Sequence, residues 1–342
     1  MTNSASSPVP LRDNEAAATP WRRAGWWTRK LIIYGLLALL LYFALRRAPI
    51  SAIWDSVSQL RIWQLLVLAG INALIYVLIT LRWWLVVHAE KGKIPFVPFL
   101  LIRVAVFGIS YFTLGPQIGG EPLQILFLQR KYGFSYTRAT STVIMDKLLE
   151  FLANFVFLGV GLIAIVRAGF LSTSGDHRFV SAIGLIVLIC WPAIHLVLLY
   201  RGRYPLSASL RIFSKNKGVR FVGAAERMAG TFCRRHPTLL GSAILVSILG
   251  AAGMVLEFFC ITYFLRIDLL FWQTIAAWTA GWLSFLAPLP GGLGALEASQ
   301  VFVLGTFGIS AASAVSITLL IRARDLLIGG LGLILAGRAV GK

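Results

Sequence analysis

Apolar runs about as long as a bilayer is thick recur from one end of this chain to the other, and they decide its fold class before any motif is considered. A helix crosses the hydrocarbon core with about 20 such residues. Stretches at 31–46, 63–81, 97–114, 150–166, 180–200, 239–261, 268–287 and 311–335 meet or approach that length. Backbone groups in lipid must be satisfied within their own segment, and no short alternating apolar–polar pattern appears, so helices win over a barrel. The 342 residues are 58% hydrophobic and 13% charged, with a mean hydropathy of +0.80, which leaves too few polar groups to cover a soluble surface. The expected fold is an all-α polytopic membrane protein of about eight transmembrane helices.

The charge balance fits that reading. Lys and Arg number 32 against 13 acids, for a net charge of +19. In a soluble chain this would point to nucleic acid; here the bases sit in the tail and loops, where the positive-inside rule puts them, and no nucleic-acid partner is expected. Residues 1–30 are expected to be a disordered, basic, cytoplasmic tail, with Trp21, Trp26 and Trp27 among Arg22, Arg23, Arg29 and Lys30 as an interfacial belt. No small-residue cleavage site follows, so a signal anchor is expected. Residues 31–337 form one domain, and 338–342 a short tail. The interval 201–238 is a basic cytoplasmic loop carrying Arg201, Arg203, Arg211, Lys215, Lys217, Arg220, Arg227, Arg234 and Arg235. It serves as a topology determinant, as a surface that gathers anionic lipid, or as both. Part of it can lie on the membrane as an amphipathic helix. Cys190, Cys233 and Cys260 lack motif spacing, and the four histidines are scattered, so no metal and no cofactor is expected.

The chain also repeats itself. At an offset of 175 residues, Gly133 falls on Gly308, Ser135 on Ser310, Ala139 on Ala314, Ser141 on Ser316, Lys147 on Arg322 and Glu150 on Asp325. Upstream of each copy lies a Pro/Gly-rich break ending in a carboxylate. The first runs from Gly115 through Gly119 and Gly120 to Glu121; the second contains Pro290, Gly291, Gly292 and Gly294 and ends at Glu297. Prolines remove donors and glycines weaken a helix interior, so both read as re-entrant segments. A helix restarting after such a break offers free N–H groups and a positive dipole end to an anion. The alternative is that these residues simply let helices approach closely.

Six acids lie in membrane segments: Glu121, Asp146, Glu150, Glu257, Glu297 and Asp325. Arg103, Lys147, Arg322 and Arg324 oppose them. Lys147 and Glu150 share a helix face, as do Arg322 and Asp325, and each two are expected to pair. Embedded charges cost about 2.5–3.5 kcal/mol each and therefore face a bundle interior. They either fix helix register as structural ion pairs or line a path for a charged headgroup. Glu257 is the weaker case, since it can bond a neighbour, and Arg82 is expected to snorkel to the interface beside Trp83 and Trp84.

Two parity questions follow. The tail and the 201–238 loop both belong on the cytoplasmic side, yet five of the eight segments separate them. Either the first break crosses fully or one segment does not cross. Four segments lie between the two breaks, which makes the repeats parallel; one miscounted segment would invert them.

No nucleotide-binding, nucleophile-elbow or dinucleotide motif is present. Three functions remain: passage of a polar lipid between leaflets, a membrane-embedded transferase using Glu121 or Asp146 as base on a lipid-linked substrate, and a scaffold for a separate lipid- or glycolipid-synthesis enzyme. The two break regions, GPQIGGEPLQILFLQRKYGFSYTRATSTVIMDKLLEFLANFVFL and APLPGGLGALEASQVFVLGTFGISAASAVSITLLIRARDLLIGG, resemble the signature regions of the lysylphosphatidylglycerol synthase transmembrane, flippase-like family. Gly120 and Glu121 match its first signature, with Gln124 where the family carries a base, and Asp146 and Lys147 match its acid–base pair. Pro290, Gly291, Gly292, Gly294, Glu297 and Arg322 match the second. The resemblance implies a non-enzymatic flippase-like module of the bacterial inner membrane, with membrane lipids as partners. Its expected substrate path comprises these residues with Gly119, Arg130, Glu150, Arg324 and Asp325.

Overall fold

The computed structural model describes residues 54–113, 119–167, 190–213, 217–286 and 289–340, apart from 56, 57 and 59. The tail, the expected span 31–46, the middle of the first break and the first half of 180–200 lie outside the described residues. Every regular element described is helical: α1 Ile62–Lys91, α2 Val97–Phe112, α3 Glu121–Tyr132, α4 Tyr136–Arg167, α5 Cys190–Tyr200, α6 Pro205–Phe213, α7 Lys217–Arg235, α8 Pro237–Phe264, α9 Phe271–Ser284, α10 Ala295–Thr306 and α11 Ala311–Val340. Helices α1, α4 and α8 are long and apolar enough to cross a bilayer. Helix α11 matches them in length at 30 residues but carries Arg322, Arg324 and Asp325. Leu66, Leu74, Leu245, Leu256, Leu327 and Ile334 stand fully outward, a surface that lipid and not water accommodates.

Helices α2 and α9 are a different kind of element. With 16 and 14 residues, they reach only about 24 and 21 Å at 1.5 Å per residue. After each, the chain breaks and a helix of 12 residues runs back. The Phe99 ring, at the start of α2, stacks 5.7 Å from Tyr132 at the end of α3 and meets Phe127 at 5.4 Å. Trp272, at the start of α9, and Phe307, just past α10, pack on the same cluster of Ala164, Ile275 and Ala276. Residues 97–132 and 271–306 are thus helical hairpins whose ends meet. The aligned glycines Gly133 and Gly308 close the two short helices with left-handed backbone, φ 67° and 79°, a conformation that glycine reaches without strain.

The expected spans 97–114 and 268–287 appear as α2 and α9, the first arms of these hairpins and shorter than α1, α4 and α8. The packing of the long helices gives the direction of the repeat. Helices α1 to α4 correspond to α8 to α11, and the equivalent helices α1 and α8 pack side by side in opposite directions. Trp63 lies 5.3 Å from Phe264, Asn72 bonds Glu257 at 2.8 Å, and Gly250 faces Leu78 and Ile79. The repeats are inverted. The exchange extends to their neighbours: α2 packs on α11, and α4 on α9.

The α2–α11 contact depends on missing side chains. A Cβ on Gly332 would lie 2.3 Å from the Val104 carbonyl oxygen and 2.9 Å from Gly108 Cα. Gly332→Ala is expected to cost about 1–3 kcal/mol, because backbone and not a flexible side chain must yield. The thermal midpoint in detergent checks this; an unchanged midpoint means the helices are not held that closely.

The described residues of the basic loop are largely helical. Helix α7 buries Ala229, Phe232 and Cys233 in a cluster with Met145, Leu149 and Leu199, and turns Arg220, Arg227, Arg234 and Arg235 outward. Glu226, buried at 1% exposure, pins it. The carboxylate accepts from the N–H groups of Leu206 (3.0 Å) and Ser207 (2.9 Å) at the start of α6, and His195 Nε2 of α5 lies 3.0 Å away. Burial alone would push this carboxyl up, but bonds from His195, Ser207 and Leu206 hold it below the ordinary carboxylate range. A carboxyl depressed by folding stabilises the fold above its unfolded value, and that contribution is lost as pH falls through its folded value. Glu226→Gln is expected to cost roughly 2 kcal/mol. Trypsin cleavage at Arg220 and Arg227 should rise severalfold at neutral pH, while a resistant variant means α7 is held by its apolar face alone.

Candidate functional site: two charge clusters around one cavity

The first cluster is built on α4. Asp146 is fully buried and is gripped from two helices, by Arg82 Nε of α1 at 2.7 Å and Arg103 Nη2 of α2 at 2.7 Å. One turn along, Glu150 Oε2 accepts from Arg82 Nη2 at 2.8 Å. Lys147 Nζ lies 3.3 Å from Glu150 and 3.2 Å from Glu121 at the start of α3. Glu121 in turn accepts the Gly119 N–H at 2.8 Å, so the end of the first break is tied to α4 through one lysine.

The second cluster repeats this plan from the opposite direction. Glu297, in the first turn of α10, accepts the Gly294 N–H at 3.0 Å and bonds Arg322 of α11 through both carboxylate oxygens, one contact at 2.7 Å. Arg322 also donates to the carbonyls of Gly291 (3.0 Å) and Gly292 (3.3 Å), both in left-handed backbone. Glu121–Lys147 and Glu297–Arg322 are therefore the same contact in the two repeats. Arg324 joins Glu257 of α8 to Asp325, the latter at 2.7 Å, and Asn72 of α1 bonds the other Glu257 oxygen.

A cavity of about 250 Å³ lies between the clusters and takes walls from both repeats. Arg82, Arg103, Lys147 and Glu150 line one side; Glu257, Arg324 and Asp325 line the other; Tyr76, Tyr111, Trp278 and Trp282 fill in between. Depth separates the charged groups by role. Arg82, Arg103 and Asp146 are sealed, whereas the Lys147 and Arg324 side chains keep 21% and 27% exposure. The sealed ions hold helices together; the two partly open cations, one per repeat, are available to a ligand.

Several sequence expectations change here. Arg82 does not snorkel: it is 3% exposed, because two carboxylates on α4 offer more than the interface does. Arg322 and Asp325 do not pair with each other; each turns to a nearer partner, Glu297 and Arg324. Glu257 belongs to the second cluster, not to a lone apolar span. Arg130 stands exposed in the last turn of α3, away from the cavity. Gln124 is fully buried, and neither of its amide atoms has a hydrogen-bond partner among the described residues. Gly119, Gly120, Gly291, Gly292 and Gly294 shape the hairpin turns and do not line the cavity, and Pro290 opens the turn of the second hairpin. Asn72, Tyr76 and Tyr111 carry no sequence signal beyond position.

An inverted-repeat helical membrane protein with paired charge clusters around an interior cavity is the class that fold and site define. The profile of the family described as lysylphosphatidylglycerol synthase TM region matches residues 27–332, and the chain belongs to that family. It is also similar to UPF0104 membrane protein PH1989 of Pyrococcus horikoshii, 26% identical over 268 residues that cover 70% of this chain and 76% of that protein. No solved structure matches.

Proposed function

We propose that the protein carries a phosphate-bearing polar lipid between leaflets, its headgroup passing through the central cavity while its tails stay in the bilayer. The carrying observation is one cavity shared by two inverted repeats, with one accessible cation from each. At about 250 Å³ it falls below the range of drug-sized pockets, on the order of 300–1,000 Å³. A space of that size suits a headgroup and not a whole lipid. Inverted repeats allow alternating access by exchanging conformations, and the two hairpins, read as re-entrant, are the moving parts. The family's description ties it to a lipid synthase, which supports lipid as cargo and a separate enzyme as its source.

Orientation follows from charge. Lys91, Lys131, Arg138, Arg234, Arg235 and Arg338 gather at the end where α1 and α3 finish and α4 and α8 begin, against Arg61, Asp55, Arg266 and Asp268 opposite. We place the basic end in the cytoplasm and the protein in the bacterial inner membrane. Purified protein in liposomes with labelled phosphatidylglycerol should exchange the label between leaflets without covalent change. A modified lipid product would instead favour the transferase, and no exchange would overturn the proposal. Cysteines placed across 119–132 and 295–306 should be labelled from one side only in each hairpin.

A further inference from the structure

The interior charges do not balance. Arg82, Arg103, Lys147, Arg322 and Arg324 face Glu121, Asp146, Glu150, Glu257, Glu297 and Asp325, five bases against six acids among the described residues, all of them in ion pairs. A phosphate headgroup entering a site that already carries one excess negative charge is opposed by it, and in a poorly solvated interior that opposition is strong. Something positive must enter with the cargo or before it.

The geometry shows which acid is in excess. Arg324 is a single guanidinium shared by two carboxylates. Glu257 has both oxygens engaged, one by Arg324 and one by the Asn72 amide. Asp325 has only Oδ1 engaged, accepting from Arg324 Nε at 2.8 Å and Nη2 at 2.7 Å. No hydrogen bond reaches its Oδ2, although the residue is 4% exposed and lines the cavity. The titratable and charged groups around it are Tyr76 from α1, Arg103 and Tyr111 from α2, Glu257 from α8, Glu297 from α10 by way of Arg322, and Arg322 and Arg324 of its own helix. A buried carboxylate with one oxygen facing a cavity and half a share of one cation is the cheapest place in this network to add a proton. The equivalent position in the first repeat, Glu150, differs: both of its oxygens are engaged, one by Arg82 and one by Lys147.

We infer that Asp325 is the coupling site: its Oδ2 accepts one proton from hydronium of the bulk solution on the acidic side, forming an O–H bond and leaving water, and this neutralises the excess charge as the anionic headgroup binds. Headgroup and proton then cross together, one of each, and the proton leaves Oδ2 when the headgroup departs. This rests on the transport reading and adds its energy source. Helix α11 has no such function if the cavity is static, since a fixed charge would then repel the cargo on both sides alike.

The test uses the full chain in proteoliposomes with labelled phosphatidylglycerol and an imposed pH gradient. One proton per singly charged lipid predicts that a gradient of one pH unit enriches the labelled lipid up to about tenfold in the leaflet facing the alkaline side. Asp325→Asn, permanently neutral at this atom, should lose the gradient-driven enrichment. Infrared titration of the detergent-solubilised protein supplies a readout independent of transport: a protonated-carboxyl band present in the wild type and missing in Asp325→Asn. Wild-type exchange that ignores the pH gradient, or follows a sodium gradient in its place, overturns the proton and leaves the transport reading standing. Absence of exchange under every gradient overturns the transport reading, and the infrared band then decides the proton site alone. An infrared titration identical in the two proteins removes Asp325 from the scheme.

Discussion

Replacing Asp146 by alanine is expected to cost about 3–5 kcal/mol of stability, the penalty for stripping a partner from buried charges. Its carboxylate is shared by Arg82 and Arg103, whose side chains are 4% and 7% exposed, so removal leaves Arg103 on the Ile79 carbonyl and the Trp83 ring and Arg82 on Glu150. Arg82–Glu150 and Glu90–Arg138 also join α1 to α4, but among the described residues only Asp146 ties α2 to them through an ion pair, so the loss falls on the packing of all three helices. The check is an unfolding titration of purified protein in detergent. A second variant separates charge from shape: Asp146→Leu with Arg103→Met removes both unpaired ions and leaves Arg82 on Glu150. It is expected to recover most of the loss, because apolar replacement of a complete buried pair is often neutral or better. If Asp146→Ala stays within about 1 kcal/mol of wild type, an ordinary substitution effect, the network does not hold these helices.

Why the sequence yielded part of this and not the rest can be traced to particular residues. Fold class was legible because lipid forces helices and long apolar runs are unambiguous. The Lys147–Glu150 contact was legible because both residues sit on one helix at a fixed spacing. The Arg322 partner was not, because Glu297 and Asp325 both lie within reach of a long side chain and only the turn at Gly291 and Gly292 decides between them. Arg82 was misplaced for an instructive reason. Two adjacent tryptophans made a span end look interfacial, yet α1 runs on to Lys91 and puts residue 82 well inside. The repeat held the missing signal: carried upstream at the same offset of 175, Arg82 falls on Glu257. Each of these bonds the acid–base pair of the other long helix in its own repeat, Arg82 on Glu150 and Glu257 on Arg324, with the charges exchanged. Similarity scored by residue type hides such a pair, whereas complementarity shows it. The Glu226 latch had no signal at all, since its partners are backbone N–H groups set by the fold around α6.

Lys147→Gln is expected to slow leaflet exchange of phosphatidylglycerol by tenfold to a hundredfold while changing stability by less than about 1 kcal/mol. The two halves of that expectation have one cause. Lys147 holds its carboxylates at 3.2 and 3.3 Å, against 2.7 Å for the sealed pairs on Asp146, and its side chain is partly open. A half-open pair at longer range contributes little to stability. Those same features leave the ammonium able to turn from Glu121 and Glu150 toward a phosphate oxygen. A charge-assisted bond made there contributes about 1.5–3 kcal/mol, which sets the tenfold-to-hundredfold range. Lys147→Arg, which keeps the charge, should retain most of the rate. Arg130→Gln removes a charge from the exposed end of α3, outside the cavity, and should leave the rate unchanged. Initial rates at matched reconstitution, with thermal midpoints measured on the same preparations, separate the outcomes. If Lys147→Gln exchanges lipid at the wild-type rate, the headgroup does not pass this lysine. If rate and stability fall together by equal free energies, Lys147 is a structural ion like Asp146, and the cavity's accessible cation on the first repeat must be sought elsewhere.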